Sequence, residues 1–323
     1  MDSDEVPYRS AFRLWDTRAW VRSKDHQSTA FDGGRAFFSP DVVPLLAVPE
    51  SAALSPNAVQ DVCARHLQWH LAMTEALEIG PVNDAVLVIR EHAAFPKELR
   101  RDALRLYTDE AGHAEMCAAM ADAVERATGI AAPETVPPFV RLVAETVAAA
   151  PAEIRDAVRL LAAFVSETLI SATLTRVPYD DRVQDGVRRL VADHAEDERR
   201  HAVLFRDVFA RYWPSLDPGV RRAAGVLVPG LVHAFLAPDT DDLVAAAAAH
   251  PEAFPDPVAA AEAATARAGA NGAYAAAAEP TLRVLHEHGA FDDADVAAAF
   301  VASGLFPEIG GAGLRTREAA LTP

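Results

Sequence analysis

Glu75, Glu110, His113, Glu167, His194, Glu198 and His201 fall in that order on stretches that otherwise read as long apolar helices. Carboxylates and imidazoles on the inward faces of packed helices are costly unless something cationic meets them. A fold that accepts all seven therefore turns them toward one shared interior, which is the arrangement of a carboxylate-rich metal centre inside a helix bundle.

The segmentation agrees with a bundle. Ser55 and Pro56 form a cap and first-turn pair, and a helix is expected from there toward His92, bent or interrupted at Gly80-Pro81. Pro96 opens a second helix, with Leu99, Ala103, Leu106 and Glu110 spaced by three and four, that ends near Thr128-Gly129. After a proline-rich link and a short helix to Ala150, a third long helix is expected from Pro151 to about Arg176. A fourth is expected from about Asp181 to Tyr212, ahead of Pro214. No alternating strand pattern separates them, so the predicted fold is all-α, a ferritin-like four-helix bundle with additions at both ends. Residues 1–55 read as an irregular arm packed on the core, 56–237 as the bundle with a fifth helix over 217–237, and 238–323 as alanine-rich helices of the same domain.

Composition excludes several partners. The formal net charge of −17 opposes any polyanion, so nucleic acid is not expected. The most apolar stretch, Ala223 to Ala237, contains Pro229 and His233 and is shorter than the roughly 20 residues that cross a bilayer, so no membrane is expected either. Two cysteines, Cys63 and Cys117, form no CxxC pattern and read as buried packing residues. The acidic start Met1-Asp2-Ser3-Asp4-Glu5 lacks the basic and apolar regions of an export signal, and the expected location is the cytoplasm.

The spacing carries the chemistry. Glu110 and His113 lie at i and i+3 on one helical face. His194, Glu198 and His201 lie at i, i+4 and i+7, again a narrow stripe. Glu75 and Glu167 each add a carboxylate from the remaining two helices, and Glu167 does so from within an apolar run, Ala162 to Ile170. Metal-bound histidines donate their second ring N–H to a carboxylate, so Asp109 is expected to serve His201 and Asp197 to serve His113, each across to the opposite motif. An oxygen-rich set with imidazoles and no thiolate suits iron or manganese better than zinc, and two iron ions are the expected occupants.

In this order and spacing, the chain resembles the p-aminobenzoate N-oxygenase (AurF-type) family of ferritin-like di-iron oxygenases. The di-iron pattern of Glu, ExxH, Glu, ExxH is matched by Glu75, Glu110-Ala-Gly-His113, Glu167 and Glu198-Arg-Arg-His201, and His194 occupies the family's additional histidine position. The resemblance implies that these seven side chains are iron ligands; Glu78 rivals Glu75 for the first place, and family spacing favours Glu75. It implies an enzyme that uses O2 to take a small amine, an arylamine or an amino-acid-like one, to a hydroxylamine, nitroso or nitro product in a biosynthetic pathway. It also implies a homodimer. No GxGxxG loop or four-thiolate cluster is present, so electrons are expected from an external donor, a ferredoxin and its reductase or a small reductant. A C–H hydroxylase or desaturase, or a ferritin-like iron-binding protein without substrate, would use similar ligands. The long additions outside the bundle fit a substrate pocket better than a storage shell.

Overall fold

The computed structural model describes residues 7–25, 29–173 and 176–305, without the side chains of 171–173. It is an all-α ferritin-like helical bundle, with no strand among the described residues beyond one isolated bridge. The N-terminal arm contains two short helices, α1 (Trp15–Arg18) and α2 (Trp20–Ser23), and three 3-10 turns between Pro40 and Ala53. Bundle helices follow as α3 (Pro56–Leu77), α4 (Asn83–Glu91), α5 (Lys97–Thr128), α6 (Pro138–Ala149), α7 (Ala152–Thr173) and α8 (Asp185–Ser215). Beyond them lie α9 (Pro218–Gly225), α10 (Val228–Leu236), α11 (Thr240–Ala248), α12 (Pro257–Ala268), α13 (Ala273–Ala277), α14 (Glu279–Glu287) and α15 (Ala294–Ala302).

Local chemistry sets these boundaries. The Ser55 hydroxyl accepts from the Ala58 amide at 3.2 Å and caps α3. Pro81 has no N–H for the ladder, and the expected interruption takes the form of a π-helical segment, Glu78–Val82, that leads directly into α4. α5 ends on Gly129, whose φ of 76° closes the last turn in a left-handed conformation. α8 starts four residues later than its apolar pattern suggests, because the arm holds 182–184 extended: the Ala36 amide donates to the Arg182 carbonyl at 2.7 Å and the Gln184 amide to the Ala36 carbonyl at 2.9 Å. α8 also runs through Pro214 in its last turn.

The fifth helix expected over 217–237 is two helices broken at Val226-Leu227, where Pro229 follows in the first turn of α10. Pro218–Ala248 is apolar and long enough to cross a membrane by length and composition, but it comprises α9, α10 and α11 with breaks between them.

α3 packs on α5, α7 on α8, and α5 on α8, while α4 and the π segment close against α5 and α7. Buried apolar residues reaching from Phe12 to Leu305 form a main core that arm, bundle and C-terminal helices share, with a small satellite cluster of Ala150, Ile154 and Val158. At its centre sits a polar nucleus: Glu78, Glu110, His113, Glu167, His194, Glu198 and His201 are each no more than 1% exposed.

Candidate metal centre

Four elements aim side chains at this nucleus. The π segment supplies Glu78, α5 supplies Glu110 and His113, α7 supplies Glu167, and α8 supplies His194, Glu198 and His201. Among the described residues two groups of four donors emerge, Glu78/His113/His194/Glu198 and Glu110/His113/Glu198/His201, with ligating atoms inside each within 4.8 Å of one another. They share His113 and Glu198. One imidazole nitrogen serves one ion, whereas a carboxylate with two oxygens can bridge a pair. Glu198 lies where the two groups meet, its Oε1 3.6 Å from His113 Nδ1, 3.2 Å from His194 Nε2 and 3.0 Å from His201 Nδ1. Glu110 is similar, with Oε1 2.9 Å from His201 Nδ1 and Oε2 3.4 Å from His113 Nδ1. Glu167 stands at the edge, Oε2 3.8 Å from His201 Nδ1.

On the first helix the structure brings in Glu78 and leaves Glu75 out. Glu78 Oε1 lies 2.8 Å from His194 Nε2 and 3.9 Å from His113 Nδ1, while Glu75 is only part-buried and belongs to neither donor group. The two glutamates are one turn apart on one face, so helical periodicity does not distinguish them; depth along the helix axis does.

The aspartates lie across the motifs. Asp197 Oδ2 is 3.1 Å from His113 Nε2, and Asp109 Oδ2 is 3.3 Å from His201 Nε2, so each of these histidines turns Nε2 to an aspartate and Nδ1 to the centre. Asp197 is further bonded by the neighbouring Arg200 guanidinium. The sequence pattern did not reveal the arm's share. The Trp15 indole donates to Asp109 Oδ1 at 2.7 Å, the Trp20 backbone amide donates to Asp197 Oδ2 at 3.0 Å, and Phe12 stacks on His201 at 6.0 Å between ring centroids. Isolated tryptophans in an arm without periodicity carry no signal of such roles.

The donor set fits divalent cations. Both oxygens of Glu78 and of Glu110, one each of Glu167 and Glu198, His113 Nδ1 and His194 Nε2 are buried without a hydrogen bond of acceptable geometry, even where a neighbour is close. Each such orphan carries a desolvation cost that a cation at the centre would offset. Protonation responds to the same imbalance. Burial raises Glu167 well above the carboxylate range, helped by Glu198 and Glu110, and raises Glu78 to about 7. Burial lowers imidazole basicity, yet the hydrogen bond to Asp197 and the charges of Glu78 and Glu110 leave His113 well above its usual value, the charges of Glu110 and Glu198 do the same for His201, and Glu78 lifts His194 to about 9. Protons thus take the places that two cations would neutralise, since four carboxylates balance two divalent ions.

Beside the centre is a cavity of 280 Å³ between α3, the arm and the α10–α11 corner. Phe38, Trp69 and Phe235 wall it with rings, His66 and His70 line it from α3, and Arg176, Asp239 and Asp242 bring charge. His70 is buried, lines the cavity and lies near enough to His194 to feel its charge. Burial holds His66 down to about 4 and His70 to about 3, so both are neutral, and burial beside Asp239 pushes Asp242 up to about 7. Phe164, Leu160 and Thr74, adjacent to ligand-type residues in sequence, are buried but do not line this cavity. Cys63 and Cys117 are buried, and burial pushes the Cys63 thiol up to about 12 and Cys117 well above the usual range, which makes both unreactive.

The profile described as P-aminobenzoate N-oxygenase AurF matches residues 10–289, a span that includes the arm with Trp15 and Trp20 and extends to the end of α14. No curated protein matches the chain. With a match over most of its length and a buried carboxylate–imidazole cluster at its centre, the chain belongs to the p-aminobenzoate N-oxygenase AurF family.

Proposed function

We propose that this protein is an O2-dependent di-iron N-oxygenase that converts a small amine, an arylamine or an amino-acid-like one, to a hydroxylamine, nitroso or nitro product. The observation that carries the reading is the pair of overlapping donor groups, with Glu198 common to both and fully buried oxygens and nitrogens left unpartnered around them. Glu78 and His194 belong to one side, Glu110 and His201 to the other with Glu167 beside His201, and His113 lies within reach of both. Two iron ions bound there would supply O2 activation and the oxidising equivalents for N–O bond formation.

The rest is done by the chain. Asp109 and Asp197 fix the Nε2 protons of His201 and His113, which directs both Nδ1 lone pairs inward. The ring-lined cavity is of a size for a small molecule, and neutral His70 in its lining lies near enough to His194 to feel its charge. Arg176 is suited to hold a substrate carboxylate, with Asp239 and Asp242 in the same lining. Oxidation of the amine to the hydroxylamine consumes one O2, two electrons and two protons and releases water, so an external reductant is part of the reaction.

The test loads the protein with Fe(II), counts metal, and supplies O2, a reductant and a panel of arylamines and amino acids. The expected result is two irons per chain and a product with oxygen on nitrogen by mass and NMR. Oxygen on carbon would instead give a C–H hydroxylase, and many irons per chain without product would give an iron-sequestering protein.

A further inference from the structure

We propose that the N-terminal arm is part of the metal centre, with Trp15 and the backbone of Trp20 acting as positioning groups that orient the two ExxH histidines through Asp109 and Asp197. The inference rests on reading the cluster as a metal site. Its geometry is a pair of matching relays. Trp15 Nε1 donates to one oxygen of Asp109 while the other oxygen faces His201 Nε2, and the Trp20 amide donates to the Asp197 oxygen that faces His113 Nε2. Both aspartates are 0% exposed, so no water substitutes for a lost donor.

The arm is built to hold these donors in register. Its path over α5 and α8 is anchored before and after the two tryptophans. The Tyr8 hydroxyl donates to Asp102 at 2.7 Å, and Lys24 Nζ reaches Asp193 and Glu196, each at 2.7 Å. The guanidinium groups of Arg22 and Arg105 lie 5.3 and 5.9 Å from the centroid of the Trp15 ring. The Trp20 amide opens α2, where a first-turn N–H has no partner within the helix and is free to serve Asp197. Between Glu110 and His113 the helix places Gly112 against this segment: a Cβ there would stand 2.0 Å from Val21 Cγ1. The ligand motif itself thus leaves space for the arm to come this close.

A purely structural strap would change stability when cut but not the ligand field. Co(II) titration of the full chain separates the two, with binding followed by chelator competition and the visible d–d spectrum as a readout of geometry. Trp15→Phe keeps the ring and removes the donor. It is expected to weaken Co(II) binding about tenfold at one of two sites, at the low end of the range for groups that support metal ligands, and to shift the spectrum. Asp109→Asn should act in the same direction and more strongly, and the double variant should be no worse than Asp109→Asn alone. Gly112→Ala should displace Val21 and Trp20 and alter the spectrum, with Val21→Ala restoring it. Wild-type affinity and spectrum in Trp15→Phe, whether or not its melting temperature falls, would overturn the arm's role and leave the metal reading intact. A wild-type chain that takes up no Co(II) would overturn both.

Discussion

Substituting the two first-helix glutamates one at a time gives the sharpest separation of depth from periodicity. Metal at about a hundred times its dissociation constant stabilises a folded chain by about 2.7 kcal/mol per site, or roughly 5 kcal/mol for two sites. For a chain somewhat larger than 250 residues, about 2 °C of melting temperature per kcal/mol is a fair scale, so loading should raise it by roughly 10 °C. Glu78 is 1% exposed and 2.8 Å from His194, so Glu78→Gln should lower one site's affinity about a hundredfold and remove about half of that increment, roughly 5 °C. Part-buried Glu75 lies outside both donor groups, and Glu75→Gln should stay within about 0.5 kcal/mol of the parent, loaded or not.

The metal-free protein gives the opposite sign. Burial raises Glu78 to about 7, so the folded chain holds a proton there that the unfolded chain releases from its lower, ordinary pKa upward. The group's stability contribution is intact below the unfolded pKa and is lost as pH rises through the folded one. Metal-free Glu78→Gln should therefore melt above the parent at about pH 8 and level with it at about pH 4. Calorimetry with and without Fe(II) under anaerobic conditions checks both signs. A collapse of the metal increment in Glu75→Gln, with Glu78→Gln unchanged, would refute the assignment.

Other substitutions test the supports. Lys24→Ala removes two part-buried ion pairs between arm and α8 and should cost about 1 kcal/mol, falling with added salt, by denaturant titration. Ser55→Ala removes the cap of α3 and should also cost about 1 kcal/mol while leaving metal content unchanged. Phe164→Ala, in a fully buried stack with Phe209 at 4.6 Å, should cost about 3–5 kcal/mol. Asp242, raised to about 7 by burial beside Asp239, loses its stability contribution as pH climbs from the ordinary aspartate range toward 7, so Asp242→Asn should melt increasingly above the parent over that interval.

Periodicity and punctuation, both local, determined the all-α class, the four bundle helices and six of the seven residues buried at the centre, all but Glu78. Glu110 with His113, and His194 with Glu198 and His201, share faces whatever surrounds them, because 3.6 residues per turn is a property of the backbone. The cross-pairing of Asp109 with His201 and Asp197 with His113 was legible for a similar reason, since a ligand histidine needs a second partner and each aspartate precedes a ligand-type glutamate. What tertiary structure decided was everything that depends on distance between elements. It selected Glu78 over Glu75, because only depth in the bundle separates two residues on one face. It gave the expected bend or interruption at Gly80-Pro81 the form of a π segment that carries Glu78, and delayed α8 by pairing Ala36 with Val183. It placed Trp15 and Trp20 on the aspartates, 94 and 177 residues away along the chain. Such contacts leave no trace in local pattern, because a hydrogen bond across the fold constrains where two groups meet and not what lies beside either of them in sequence.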